Sequence, residues 1–349
     1  MTLRLQTIDA HAEGEPGRVI VDADHLLPAG TVAERFAYAR EELHGLRRLV
    51  IHEPRGYPGL CAVLVLTPSD PAADVGIIVL EQGGFTAMSG SNTICTVTAL
   101  LETGRLTMVE PVTTVTIETA IGLVTVEARC ADGKVLDVTI HNVPAFPVYL
   151  DVPLDVPGLG SVPVDVGFGG QYFVFAKADD LGVGLQPADA KDLLNIGARL
   201  KLAVNRAYPV RHPLNPSIDI VNGVMITGPS STPGVDARNT MVIATDRLSD
   251  DPATWTGSLD RSPCGTGTSA RMACLHARGE LAIGQAFVHE GMLDTTFTGR
   301  LVGETTVGPY AAVLPTITGR GWVTGTSEWV LDDTDPFREG YTIGDIWPA

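Results

Sequence analysis

The stretch Asp260-Arg261-Ser262-Pro263-Cys264-Gly265-Thr266-Gly267-Thr268-Ser269-Ala270-Arg271 decides how this chain is read. It sets one cysteine ahead of a run of small residues that opens a helical pattern. A thiol at a helix N-terminus lies beside backbone N–H groups without intrahelical partners, at the positive end of the macrodipole, which favours thiolate. The same N–H groups can hold a carboxylate. The device occurs twice. With Ser89 set on Cys264, Gly90 falls on Gly265, Ser91 on Thr266, Asn92 on Gly267 and Thr93 on Thr268. Farther along, Leu100 falls on Leu275, Gly104 on Gly279 and Leu106 on Leu281. Each copy reads as a nucleophile-type residue, a small-residue turn, a helix and a glycine stop. The offset is about half of the 349 residues, so the chain is read as two related halves. The copies differ in chemistry: a thiol in one, a hydroxyl in the other.

Size and composition fit two domains with ample core, since 44% of residues are hydrophobic. The 38 glycines and 24 prolines are spread along the chain and imply many turns and short elements. A formal charge of −17 argues against nucleic acid and anionic membranes as partners. It also means that an acidic substrate must be drawn by local helix ends, not by the overall field. The five cysteines have no C-x-x-C spacing, so neither a zinc cluster nor a disulfide framework is expected. The N-terminus lacks a signal-peptide core and no apolar run reaches membrane-spanning length; a cytoplasmic setting, in which free thiols survive, is expected.

Strands are expected at 3–10 and 17–23, and at the apolar runs 61–66 and 75–81. Thr31-Val32-Ala33-Glu34 is a capping box ahead of a helix to about Leu49. A helix is expected from about Asn92 to Glu102, a hairpin from Val112 to Ala128 around Ala120-Ile121-Gly122, and a strand at 134–143. The proline-rich segment 144–163 reads as a linker, with a domain boundary near 145. The second half supplies strands at Phe168–Phe175, 218–227 and 240–245, and a helix from Ala188 to Asn205. The helix after Cys264 runs to about Arg278, and paired strands follow, including 296–309 and 321–331. The domains are then 1–145 and 146–334, with a tail of about 335–349 packing back on the first. The succession is α+β, not a strict βαβ alternation.

Cys264 is the strongest candidate for chemistry, because a merely packed cysteine needs no Pro before it and no Gly-Thr-Gly after it. Ser89 gains a role from its equivalence to Cys264; alone it would be an ordinary N-cap. Asp260 either caps its own turn or pairs with the ammonium of an amino acid. His11, His141 and His212 are weaker candidates. Gly167-Phe168-Gly169-Gly170 lacks the spacing of a nucleotide-binding glycine loop.

Taken together these residues resemble the proline racemase family. The likeness runs through Asp9-Ala10-His11, Arg18-Val19, Gly90 and its helix, Asp165 to Phe173, Asp260 to Ala270, and Ile317-Thr318-Gly319 to Gly325. The resemblance implies the diaminopimelate epimerase-like fold: two pseudo-symmetric α/β domains, each a sheet wrapped around a central helix, with the active site in the cleft between them. It implies no cofactor, a cyclic amino acid as substrate, and two cysteines flanking the α-carbon as base and acid; a homodimer is possible. This chain departs from that pattern. Ser89 stands at the first cysteine, Ser91 at the usual histidine two residues later, and Asp236-Ala237-Arg238-Asn239 lacks the histidine of the epimerases. Ser at the first position with Cys at the second is similar to the trans-3-hydroxy-L-proline dehydratases.

The swap has a chemical reading. A thiol, with a reference pKa of about 8.5, can both take and return a proton near neutrality, whereas a serine hydroxyl is a far weaker acid. A carbanion with a hydroxyl on the adjacent carbon can expel it instead. In trans-3-hydroxy-L-proline the 3-hydroxyl shares a ring face with the α-hydrogen, so one thiol could serve both and give Δ1-pyrroline-2-carboxylate. Cys264 would be the base, Ser89 the second catalytic group, and Gly90, Ser91, Gly265 and Thr266 would present N–H groups to the carboxylate, with Asp260 on the ring ammonium. The alternatives are 4-hydroxyproline 2-epimerisation or proline racemisation, a cysteine hydrolase using one of the histidines, and a non-catalytic amino-acid binding protein.

Overall fold

A computed structural model describes residues 3–343 apart from 217, 245–247, 252–254 and 256. The chain divides into two compact units: one runs up to Ile140 and resumes at Gly319, and the other is His141–Thr318.

The first unit is one sheet around one buried helix. Strand Gly321–Leu331 pairs antiparallel with Leu3–Ala12, which pairs antiparallel with Glu15–Val21. Glu15–Val21 runs parallel to Cys61–Leu66, which is antiparallel to Val75–Leu80. Val75–Leu80 runs parallel to Val112–Thr119, and Gly122–Ala131 and Lys134–His141 complete the sheet antiparallel. The helix Gly90–Glu102 is buried from Gly90 to Leu101. Such a helix must hide its polar side chains, and two of them bond to its own backbone: Thr93 Oγ1 donates to Ser89 O at 2.8 Å and Thr96 Oγ1 to Asn92 O at 2.8 Å. On the outer face, Leu49, Val50 and Ile51 join Leu5, Ile20, Leu64 and Ile78 in an apolar cluster.

The second unit repeats the pairing scheme. Phe146–Val156, Gly160–Phe168 and Tyr172–Lys177 are successively antiparallel. Tyr172–Lys177 runs parallel to Val221–Gly228, which is antiparallel to Ala237–Ala244. Ala237–Ala244 runs parallel to Ala286–Glu290, and Thr296–Val307 and Tyr310–Gly319 follow antiparallel. The order antiparallel, antiparallel, parallel, antiparallel, parallel, antiparallel, antiparallel is the same in both units. The helix Gly265–Ala277 is buried from Gly265 to Leu275 apart from the half-buried Arg271. Phe173, Phe175, Met225 and Met241 pack with Cys264, Ala270 and Cys274. Both helices stop alike, at Gly104 (φ 72°) and Gly279 (φ 74°), with Arg105 N bonded to Leu100 O and Glu280 N to Leu275 O, each at 2.9 Å.

Several expectations are corrected. Segment 144–163 is not a linker: it forms most of a hairpin in which Pro153 lies opposite Pro163. Proline is tolerated there because Pro163 lies beyond the ladder to Tyr172–Lys177, which begins at Val164, and among the described residues of the unit Phe146–Val156 has no second neighbour strand. Segment 321–331 pairs with Leu3–Ala12, not with a sequence neighbour; Thr296–Val307 pairs with Tyr310–Gly319. The return to the first unit therefore starts at Gly319 rather than near 335. The helix after Thr31 breaks at Leu43 into Val32–Glu42 and His44–Ile51, with its capping box formed. Residue 245 of the expected strand and 344–349 of the expected tail lie outside the described residues.

Candidate active site

Each unit offers one helix N-terminus as a chemical site. In the second unit Cys264 is the N-cap of Gly265–Ala277, with φ 62° and ψ 102°. A positive φ on a non-glycine residue of this kind costs about 1–3 kcal/mol and persists only where the surroundings impose it. The thiol is buried, and its Sγ lies 4.0 Å from Thr266 Oγ1. An ideal Cβ on Gly267 would stand 3.0 Å from that sulfur, 2.5 Å from Met225 Cε and 3.2 Å from Phe173 Cε1. The second glycine of Cys-Gly-Thr-Gly thus leaves room for the Met225 methyl and the sulfur. The first N–H to close a helical bond is Thr268 N, on Cys264 O at 2.9 Å, so those of Gly265, Thr266 and Gly267 precede the ladder.

The loop before the thiol is tied down. Asp260 Oδ1 accepts from Ser262 N at 2.7 Å and Ser262 Oγ at 2.8 Å, and Ser262 Oγ accepts from Cys264 N at 3.2 Å. Asp260 thus caps its own turn through Oδ1. Behind the helix, Gly169 presses on its first turn. A Cβ there would meet Thr266 O and come within 2.5 Å of Ala270 N, two partners in one helical hydrogen bond. Asn142 Nδ2 pins this contact by donating to Gly169 O at 3.0 Å and Ser269 Oγ at 2.9 Å. The glycine loop 167–170 is thus a packing surface for the helix, a role that its sequence spacing does not announce.

In the first unit Ser89 is the N-cap of Gly90–Glu102, extended at φ −143° and ψ 127°. Its Oγ accepts from Asn92 Nδ2 at 3.0 Å. Gly267 occupies the position of Asn92 in the second copy, so an amide stands by the hydroxyl where only a glycine hydrogen stands by the sulfur. Thr93 N closes the ladder on Ser89 O at 3.0 Å, leaving the N–H groups of Gly90, Ser91 and Asn92 ahead of it. The structure thus brings Cys264, Gly265, Thr266 and Asp260 together in one loop, and Ser89, Gly90 and Ser91 in another.

Two of the weaker candidates, His11 and His212, serve structure. His11 stacks on Trp322 at 5.0 Å and accepts from Gly14 N through Nδ1; burial lowers its pKa. His212 Nδ1 accepts from Leu214 N and Asn215 N, and the ring packs on Phe146 and Phe168. His141 is exposed at the end of its strand. Cys95 and Cys274 are core thiols whose pKa values burial raises, that of Cys274 to about 12. Arg238, in the segment Asp236-Ala237-Arg238-Asn239, donates to Glu290 at 3.0 Å and Asp294 at 2.7 Å. Sequence reading missed His289, which is fully buried and held by burial at a pKa of about 3. No local pattern marks it. Among the described residues no three His, Cys, Asp or Glu side chains form a metal-holding group, and no helix is long and apolar enough to cross a membrane.

A duplicated unit of sheet wrapped on a buried helix, with a chemical residue at each helix N-terminus, defines an α+β fold of the diaminopimelate epimerase type. Residues 7–342 match the proline racemase family profile, and the chain belongs to that family. It is 41% identical over 336 residues to a 4-hydroxyproline 2-epimerase of Streptosporangium roseum, covering 96% of this chain and 97% of that one. It is 37% identical over 339 residues to a proline racemase of Clostridioides difficile, covering 97% and 98%. A crystal structure of a hydroxyproline epimerase from Agrobacterium vitis with bound trans-4-hydroxy-L-proline superposes with a TM-score of 0.89 at 37% identity, covering 99% of this chain and 96% of that one.

Proposed function

We propose that this enzyme removes the α-proton of a hydroxyproline through Cys264, with 4-hydroxyproline 2-epimerisation as its first reaction. The observation that carries the deprotonation is Cys264 itself: a buried N-cap thiol, held at positive φ ahead of three N–H groups. Those N–H groups suit a carboxylate and the enolate that develops from it; fixed donors of this kind are the largest contribution expected to such a reaction. Asp260 takes the ring ammonium. The choice of 4-hydroxyproline is supported by the 41% identical epimerase and by the ligand of the Agrobacterium vitis enzyme.

One residue favours a second reading. Ser89 replaces the thiol that inversion requires as proton donor, and a hydroxyl is a poor acid toward a carbanion. The position of the ring hydroxyl then decides the product. A 4-hydroxyl is not on the carbon adjacent to the carbanion, so 4-hydroxyproline can only be reprotonated. A 3-hydroxyl is, so trans-3-hydroxy-L-proline can lose it: the Cα–H electron pair forms the Cα–Cβ double bond, the C3–O bond breaks, and the proton held by Cys264 leaves with the oxygen as water. The enamine tautomerises to Δ1-pyrroline-2-carboxylate.

Incubation with each substrate separates the readings. Chiral chromatography shows inversion of trans-4-hydroxy-L-proline; an imine product from trans-3-hydroxy-L-proline shows dehydration. Both activities are expected to vanish in Cys264→Ser. Undiminished turnover in that variant would remove the thiol from the mechanism.

A further inference from the structure

The direction of a side chain from its backbone is set by φ and ψ, and so by the two peptide planes flanking the residue. Both planes at Cys264 are held. On the leading side, Pro263 O accepts from Thr268 Oγ1 at 3.1 Å and from Asn239 Nδ2 at 3.1 Å, while Cys264 N donates to Ser262 Oγ. On the trailing side, Cys264 O receives Thr268 N. Thr268 thus grips both planes. Its hydroxyl has one proton, given to Pro263 O, so the 2.8 Å contact with His289 Nδ1 requires the ring to donate from that nitrogen. His289 Nε2 is then bare, and it has no hydrogen-bond partner among the described residues; neither has Asn239 Oδ1. Both residues are fully buried. An apolar residue of similar size would leave no orphaned atom at either place, so polarity is kept there for the bonds these residues make toward the Cys264 loop.

We infer that Asn239, Thr268 and His289 are positioning residues that hold Cys264 in its left-handed conformation, keeping the sulfur over Gly267 at the helix N-terminus. This rests on Cys264 being the reacting thiol. Asn239 aligns the Pro263 carbonyl, Thr268 locks it to the helix, and His289 orients the Thr268 hydroxyl. Neutral His289 is needed, since the imidazolium would place a second N–H where no acceptor stands among the described residues.

The test is a titration of thiolate ultraviolet absorbance against pH, with Cys264→Ala as background, on whole protein whose fold is checked by circular dichroism. Thr268→Val keeps the shape and removes the hydroxyl. Its Cys264 thiolate fraction at mildly alkaline pH is expected to fall about fivefold, the size of a helix-terminus effect on a nearby charge, and kcat to fall with little change in KM. Thr268→Ser should restore both. A folded Thr268→Val with the parent titration curve would overturn the inference, as would failure of Thr268→Ser to restore it. If Thr268→Val does not fold, His289→Phe and Asn239→Leu decide: a shift in the same direction supports the clamp, and parent curves in both sink it. No substrate enters the titration. An error in the assigned reaction would leave the shift in place, whereas parent curves beside intact hydroxyproline turnover would reject the clamp alone.

Discussion

Gly169→Ala tests how the second helix is seated. The added Cβ would fall on the hydrogen bond between Thr266 O and Ala270 N, at 2.5 Å from the nitrogen, where real Cβ atoms essentially never come within 3.0 Å. Both atoms are backbone and cannot rotate away. The glycine loop and the helix must therefore part by at least half an ångström. Overpacking a close-packed site costs about 1–3 kcal/mol, and a clash with backbone belongs at the upper end, so about 3 kcal/mol is expected. The same displacement reaches Thr266, two residues from the thiol. If a misplacement of about 1 Å costs about 10²-fold in rate, half of that costs about tenfold. Urea titration and steady-state turnover of hydroxyproline read the two effects. Gly325→Ala is the control: a Cβ there meets nothing within 4 Å, so stability should change by less than about 0.5 kcal/mol. Gly169→Ala with the midpoint and turnover of the parent would refute the contact and the reasoning built on it.

Gly267→Ala should push Cys264 Sγ from its seat and lower kcat by about 10²-fold, with a smaller stability loss because Met225 can move aside. Arg238→Met takes the guanidinium from the fully buried Glu290 carboxylate and leaves it the hydroxyls of Ser230 and Thr232, which carry no compensating charge; urea titration should show a loss of about 3–5 kcal/mol. His289 has a folded pKa lowered to about 3 from 6.5, so the unfolded chain binds the extra proton between these values. Stability should then fall as pH drops through that window, by up to about 1.4 kcal/mol per pH unit from this group, and His289→Phe should flatten that slope in pH-dependent denaturation. In D2O, trans-4-hydroxy-L-proline should gain deuterium at the α-carbon faster than it inverts, if Ser89 reprotonates poorly; nuclear magnetic resonance beside chiral chromatography compares the rates, and equal rates would show a competent second acid.

The sequence alone determined the duplication, the two helices with their N-terminal residues and glycine stops, and the family. These are local: a helix start, a small-residue turn and a C-terminal glycine are set by hydrogen bonds within a few residues, so Ser89 and Cys264 could be aligned without a structure. What depends on distant partners stayed hidden. Gly321–Leu331 carries an ordinary strand pattern, and nothing in it says that its partner is Leu3–Ala12 at the other end of the chain. The prolines of 144–163 read as a linker because proline weakens a ladder, yet tertiary placement puts Pro153 and Pro163 opposite each other in a hairpin, clear of the next strand Tyr172–Lys177. Asn239, Thr268 and His289 come from a strand, a helix and another strand, and only folding gathers them at Pro263. The strained φ of Cys264 is likewise a tertiary decision: the residue's own preference runs against it, and the surrounding hydrogen bonds prevail.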